Sequence, residues 1–142
     1  MNSQIIEILN NHKVKPTAMR MLVMEQLYLS PKHLSLSEIE IALYPADRVT
    51  IYRTLQTFVK KGLAHSVDTA HSGAVYGLCH DDCSAEKHND EHPHFVCENC
   101  HAITCTDDFA YTLRKKNANT AYELHKVEVT IKGLCPNCLP KR

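Results

Sequence analysis

The chain of 142 residues lacks any apolar run of the roughly 18 residues that a membrane span needs. It also lacks a basic start leading into a long apolar core and a small-residue cleavage site. These absences predict a cytosolic protein with no membrane partner. Net charge is lacking too, with 16 Lys+Arg against 16 Asp+Glu, but the balance is uneven along the chain. Residues 1–65 carry eight basic and five acidic side chains, and residues 66–142 carry eight and eleven. Cysteine is absent from the first 78 residues, and all seven cysteines follow. In a reducing compartment seven thiols, an odd number, read as metal ligands or reactive groups and not as a disulfide framework. Two catalytic signatures are missing as well. There is no H-E-x-x-H, which excludes that metalloprotease chemistry, and no H-x-E ahead of a P-C-x-x-C, which excludes a zinc deaminase. Neither of those two chemistries is therefore expected.

What is present is 44% hydrophobic residues, enough to bury a core in one medium domain or two small ones. The first half reads as helices. In "SQIIEILNNHK" Ile5, Ile6, Ile8 and Leu9 recur at helical spacing; "PTAMRMLVMEQLYLS" starts at Pro16 and is apolar on most sides, as a buried helix would be. "SLSEIEIAL" opens with Ser35 and Glu38 in the relation of a capping box and closes at Pro45. "ADRVTIYRTLQTFVKKGL" offers Asp47 as N-cap, an apolar stripe of Ile51, Leu55, Phe58 and Val59, and Gly62 as its stop. Its other face carries Thr50, Arg53, Thr54, Thr57, Lys60 and Lys61.

A short helix, a turn of about four residues and a second helix with a hydroxyl-rich, basic outer face is the layout of a helix-turn-helix. Arg53 suits a guanine edge, Tyr52 a thymine methyl, and Thr50, Thr54 and Thr57 suit phosphates. Lys15 and Arg20, at the start of the preceding helix, complete the candidate DNA contacts. A helical hairpin with a solvated face fits the same pattern. "LAHSVDTAHSGAVYGL", two short strands around a turn at His71 to Gly73, suits a wing and favours the DNA-binding reading.

From residue 79 the text changes. "CHDDCSAEKHNDEHPH" breaks all periodicity, after which "HFVCENCHAITC" reads as a strand pair, "DDFAYTLRKKNANTA" as a helix capped by Asp107 or Asp108, and "YELHKVEVTIKGLC" as a strand. This half is too small and polar to stand without a staple. Cys97-x-x-Cys100 and Cys135-x-x-Cys138 supply one, since paired knuckles bring four thiolates to one tetrahedral zinc ion. A redox C-x-x-C needs a single pair at a helix N-terminus, whereas here two pairs sit at strand ends. Four thiolates fill the zinc shell, so the site is structural, and its binding energy, on the order of 10 kcal/mol, is folding energy.

Ligands remain beyond those four. His92 and His94, two apart on a strand, point to one side and can share an ion. Cys79 lies at the junction of the halves, with His65 near it if the hairpin forms. His33, Cys83 and Cys105 are further candidates.

The segments "HKVKPTAMRMLVMEQL", "HLSLSEIEIAL", "RVTIYRTLQTFVKKGL", "HPHFVCENCHAI" and "VTIKGLCPNC", in that order and over nearly the whole chain, resemble the ferric uptake regulator (Fur) superfamily. The resemblance implies an α+β fold: a winged helix-turn-helix DNA-binding domain over 1–78, a hinge and ligand-rich loop over 79–91, and a small α/β dimerisation and metal-binding domain over 92–142. It implies a homodimeric, metal-dependent repressor of double-stranded operator DNA, with a structural four-cysteine zinc site and a regulatory metal site near the hinge. Iron and peroxide sensors of the family tend to place carboxylates where this chain has Gly77 and Cys105. The zinc uptake regulator (Zur) branch tends to use the positions of His65, Cys79, His92 and His94, and this chain is most similar to that branch. One thiolate and three imidazoles also suit Zn2+ better than Fe2+ or Mn2+, which favour carboxylates and higher coordination. The alternative implied by His33 is an iron- or peroxide-responsive regulator using Fe2+ or Mn2+. A more distant alternative is a cytosolic metal-buffering or redox protein.

Overall fold

The computed structural model describes residues 1–69, 73–78, 93–105, 108–125 and 127–140. The chain divides into two compact units, Met1–His88 and Asn89–Arg142. Among the described residues no helix is long and apolar enough to cross a membrane.

The described residues of the first unit include four helices. Helix α1 (Asn2–Asn11) buries Ile5 and Leu9, four apart on one face. Helix α2 (Ala18–Leu29) starts after Pro16, with the Thr17 hydroxyl accepting from the Arg20 backbone N–H. It is not buried all round: Val23, Met24 and Leu27 face the core, while Leu22, Tyr28 and Leu29 are exposed. Strand β1 (Leu34–Ser35) runs into α3 (Leu36–Ala42), where both halves of the capping box form. The Ser35 hydroxyl accepts from Glu38 N at 3.1 Å, and the Glu38 carboxylate accepts from Ser35 N at 2.8 Å. After a turn holding a cis Tyr44–Pro45 bond, Asp47 caps α4 (Arg48–Lys60). Gly62, at φ 77°, ends it in the left-handed region where glycine pays no Cβ penalty.

Helix α4 is the spine of this core: Ile51, Leu55 and Phe58 are wholly buried, together with Ile39 of α3 and Met24 of α2. Strands β2 (Ala64–Thr69) and β3 (Gly73–Leu78) then pair antiparallel. The expected hairpin is present, and the residues at its turn before Gly73 lie outside the described residues. Its sheet gains a strand that sequence periodicity did not show, giving the order β1-β3-β2.

The second unit is a three-stranded sheet ordered β5-β4-β6, with β4 (His94–Cys97) antiparallel to β5 (Ile103–Cys105) and parallel to β6 (Thr130–Gly133). Two expectations fail here. Residues 108–121 are not helical. Phe109 and Leu113, which a helix would align on one face, are 48% and 61% exposed, and a short helix without a face to bury is marginal in water. The long strand expected over 122–135 is cut to Thr130–Gly133, because β4 offers it only four residues to pair with. Among the described residues of this unit only Pro93, His94, Cys97 and Ile103 are buried. So small a core cannot offset the chain entropy of its strands without a further tie.

Candidate metal centres and nucleic-acid face

The β-sheet of the second unit assembles the four-cysteine cluster. Cys97 ends β4 and lies opposite Gly133 of β6, so that Cys135 follows two residues beyond the ladder. The loop between β4 and β5 folds as a knuckle: His101 N donates to Cys97 O at 2.9 Å, with His101 itself at φ 63°. The second knuckle closes with Cys138 N and Leu139 N both donating to Cys135 O, at 2.9 and 3.0 Å. The ligand atoms of Cys97, Cys100, Cys135 and Cys138 all lie within 4.8 Å of one another.

Zinc bound to sulfur at ~2.3 Å in a tetrahedron sets neighbouring sulfurs about 3.8 Å apart. The Cys100 and Cys135 sulfurs are 3.8 Å apart. The donor set and its spacing thus fit zinc with no position left for substrate. Donors aimed at sulfur prepare it for that charge. The backbone N–H groups of Cys100 and Cys135 hold the Cys97 thiol down at about 6, the latter at 3.4 Å. Asn99, which sequence reasoning passed over, donates its side-chain amide to the Cys138 sulfur at 3.3 Å. Against that donor, the neighbouring thiols, Cys135 first, push Cys138 up to about 11. Zinc held by Cys97, Cys100, Cys135 and Cys138 would bind all four as thiolates, so binding would release the protons that the cluster retains.

The remaining candidate ligands fall into a pair in each unit. In the first, His33 and His65 are buried and their Nε2 atoms are 2.8 Å apart, with ring centroids at 4.9 Å and planes tilted by 39°. One nitrogen must donate and the other accept, or both lone pairs must serve a common cation. In the second, buried His94 sits directly across β4–β5 from Cys105, as cross-strand partners whose side chains share a face. His33 and Cys105 thus join His65 and His94 as placed donors. Cys79, Cys83 and His92 lie outside the described residues, as does the whole of the ligand-rich loop 79–91.

On α4 the exposed residues include Thr50, Tyr52 and Arg53. Thr54, expected on this outer face, is buried instead, and its hydroxyl donates to Thr50 O at 2.9 Å. Thr57 is half-buried and donates to Arg53 O at 3.0 Å, while the Thr50 hydroxyl donates to the Asp47 carboxylate at 3.0 Å. The hydroxyls assigned to phosphates are therefore spent on their own helix and its cap, and Tyr52, Arg53 and Lys60 are among the exposed side chains left on this face. Lys15 is exposed, and Arg20 folds back to donate to Lys15 O at 3.0 Å.

The model of the ferric uptake regulator family matches residues 11–132. A ferric uptake regulation protein of Synechococcus elongatus is 31% identical over 96 residues, covering 66% of this chain and 60% of that protein. The chain thus spans about 60% of the length of the curated relative it matches. Among solved structures, holo XcZur has a TM-score of 0.67 at 16% identity, covering 97% of this chain and 98% of its own. A zinc uptake regulator complexed with zinc and DNA has a TM-score of 0.61 at 22% identity, with 96% and 91% covered. The Helicobacter pylori ferric uptake regulator has a TM-score of 0.58 at 20% identity, with 97% and 93% covered. At these identities the likeness to the solved structures is one of fold.

Proposed function

The chain belongs to the ferric uptake regulator family, and from that premise we propose that it is a metal-responsive transcription repressor whose sensed ion is zinc. The observation that carries the metal assignment is the donor chemistry. The first unit offers two imidazoles, His33 with His65, and the second an imidazole and a thiol, His94 with Cys105, and among the described residues neither pair is grouped with a carboxylate. Imidazole and thiolate select zinc, whereas ferrous and manganous ions favour oxygen ligands. The iron-responsive reading retains His33, and it lacks its carboxylates at Gly77 and Cys105.

In this reading α3, the turn and α4 form a helix-turn-helix with the β2–β3 hairpin as its wing. Arg53 and Tyr52 read the major groove of double-stranded DNA. The chain acts as a homodimer, and two recognition helices about one helical turn apart call for a palindromic operator. The four-cysteine zinc supports the dimerisation unit. The regulatory zinc takes four ligands, which the sequence resemblance gives as His65, Cys79, His92 and His94. A ligand shifts a conformational equilibrium only by its differential affinity, so an ion with ligands on both units favours the arrangement that completes its shell. The zinc uptake regulator solved with zinc and DNA is the relative that supports this reading.

Binding to a palindromic promoter fragment with and without a zinc chelator tests it. Specific binding should vanish with the chelator and return with zinc, and zinc-independent binding overturns the proposal. A metal-buffering protein would show no specific binding in either state, whereas a repressor keeps a specificity ratio of about a thousandfold or more.

A further inference from the structure

In the sheet ordered β1-β3-β2, His65 on β2 lies opposite Gly77 on β3. On the other side Leu34 lies opposite Tyr76, which carries His33, one residue earlier, to the same Gly77. The row across the sheet therefore reads His33, Gly77, His65. Strands on either side of a central one are about 9.5 Å apart, yet the two imidazole Nε2 atoms are 2.8 Å apart. They meet because the middle strand carries no side chain between them. A Cβ built on Gly77 would stand 2.5 Å from both Cε1 and Nε2 of His33 and 2.7 Å from its Cδ2. Gly77 is not among the glycines with positive φ, so the backbone does not require glycine here. The space does.

We propose that Gly77 is the positioning residue that makes His33 and His65 a preformed two-nitrogen chelate for zinc. The inference rests on the metal-sensing reading above for its biological meaning. Two nitrogens on a tetrahedral zinc at ~2.0–2.1 Å stand about 3.3 Å apart. The observed pair needs to open by only about half an ångström to take the ion between the two Nε2 atoms. Two imidazole nitrogens suit zinc or cobalt better than manganese.

The test uses the full chain with its imidazoles labelled with nitrogen-15, titrated with zinc after the four-cysteine site is filled. In the parent protein the Nε2 resonances of His33 and His65 should move together to metal-bound positions at one equivalent. Gly77→Ala should release His33 from the metal while His65 still responds. It should also weaken this site by on the order of 10–100-fold, the usual cost of losing a residue that orients a ligand. His33→Ala should weaken it similarly, and adding Gly77→Ala to His33→Ala should cost nothing more, since the ring that clashes is gone. That double variant also keeps the test open should Gly77→Ala alone fail to fold. The inference is overturned if the two resonances do not move together in the parent, if Gly77→Ala binds zinc as the parent does, or if it weakens binding equally with His33 already removed. Loss of zinc-dependent DNA binding with these resonances behaving as expected would instead overturn the repressor reading and leave the chelate standing.

Discussion

Cys97 stands opposite Gly133 across the parallel pairing of β4 with β6, and this register brings the Cys135 backbone N–H to 3.4 Å from the Cys97 sulfur. The ladder aligns the two knuckles, and an ion held between them would tie strands that are about 35 residues apart in sequence. Replacing Cys97 or Cys138 by Ser should remove one zinc per chain and unfold the second unit, because hydroxyl is a poor zinc ligand and the unit has almost no buried core to fall back on. Metal analysis together with hydrogen exchange over 94–105 and 130–133 checks this. Retained protection after loss of the metal contradicts it.

The cap of α3 gives a pH-dependent contribution. Burial alone would raise the Glu38 carboxyl, but the Lys32 ammonium at 2.8 Å and the Ser35 backbone N–H together hold it below its ordinary value of 4.5. A carboxyl depressed on folding stabilises above its unfolded pKa, and that stabilisation is lost as pH falls through the lower folded value. Because Glu38 is 42% exposed at its side chain, solvent screens the pair. Glu38→Gln should lower stability by no more than about 0.5–1 kcal/mol at neutral pH, and by less as the solution is acidified. Denaturant midpoints of parent and variant measured across that range report the convergence; a difference that stays constant with pH assigns the effect elsewhere.

On α4 the neighbours Arg53 and Thr54 face different ways, one exposed and one buried. Arg53→Ala should cost about 1–3 kcal/mol in binding to a specific DNA site and relax preference at one base pair. Thr54→Ala should leave DNA affinity nearly unchanged, since that side chain is buried and its hydroxyl is bound to Thr50 O. Its effect should appear in thermal stability. Fluorescence anisotropy on specific and scrambled duplexes distinguishes the two, and equal losses of specificity in both variants contradict the assignment of the face.

Much of this was legible in residues that act locally. Ser35 with Glu38, Asp47 and Gly62 mark helix boundaries through hydrogen bonds and backbone conformation within four positions, and they mark them in the structure. The two C-x-x-C pairs declare their chemistry by type and spacing. The features that escaped depend on what packs against what. The helix expected around Phe109 and Leu113 has the right spacing but no surface to cover. Thr54 reads as outward by composition, yet it lies on the buried side of α4 beside Leu55 and Phe58. The meeting of His33 and His65 depends on β1, a strand of two residues too short for any periodicity, and on Gly77, whose meaning lies in a side chain it does not have.

The most direct test of the central claim is the affinity of the full-length chain for a palindromic operator, measured across a series of buffered free zinc concentrations at which the four-cysteine site stays filled. Parent protein should pass from weak to specific binding over a single zinc transition, with Mn2+ and Fe2+ failing to reproduce it at matched free concentrations. His65→Ala should lose that transition while keeping its structural zinc and its fold. An operator affinity independent of zinc, or a His65→Ala protein that responds to zinc as the parent does, contradicts the account.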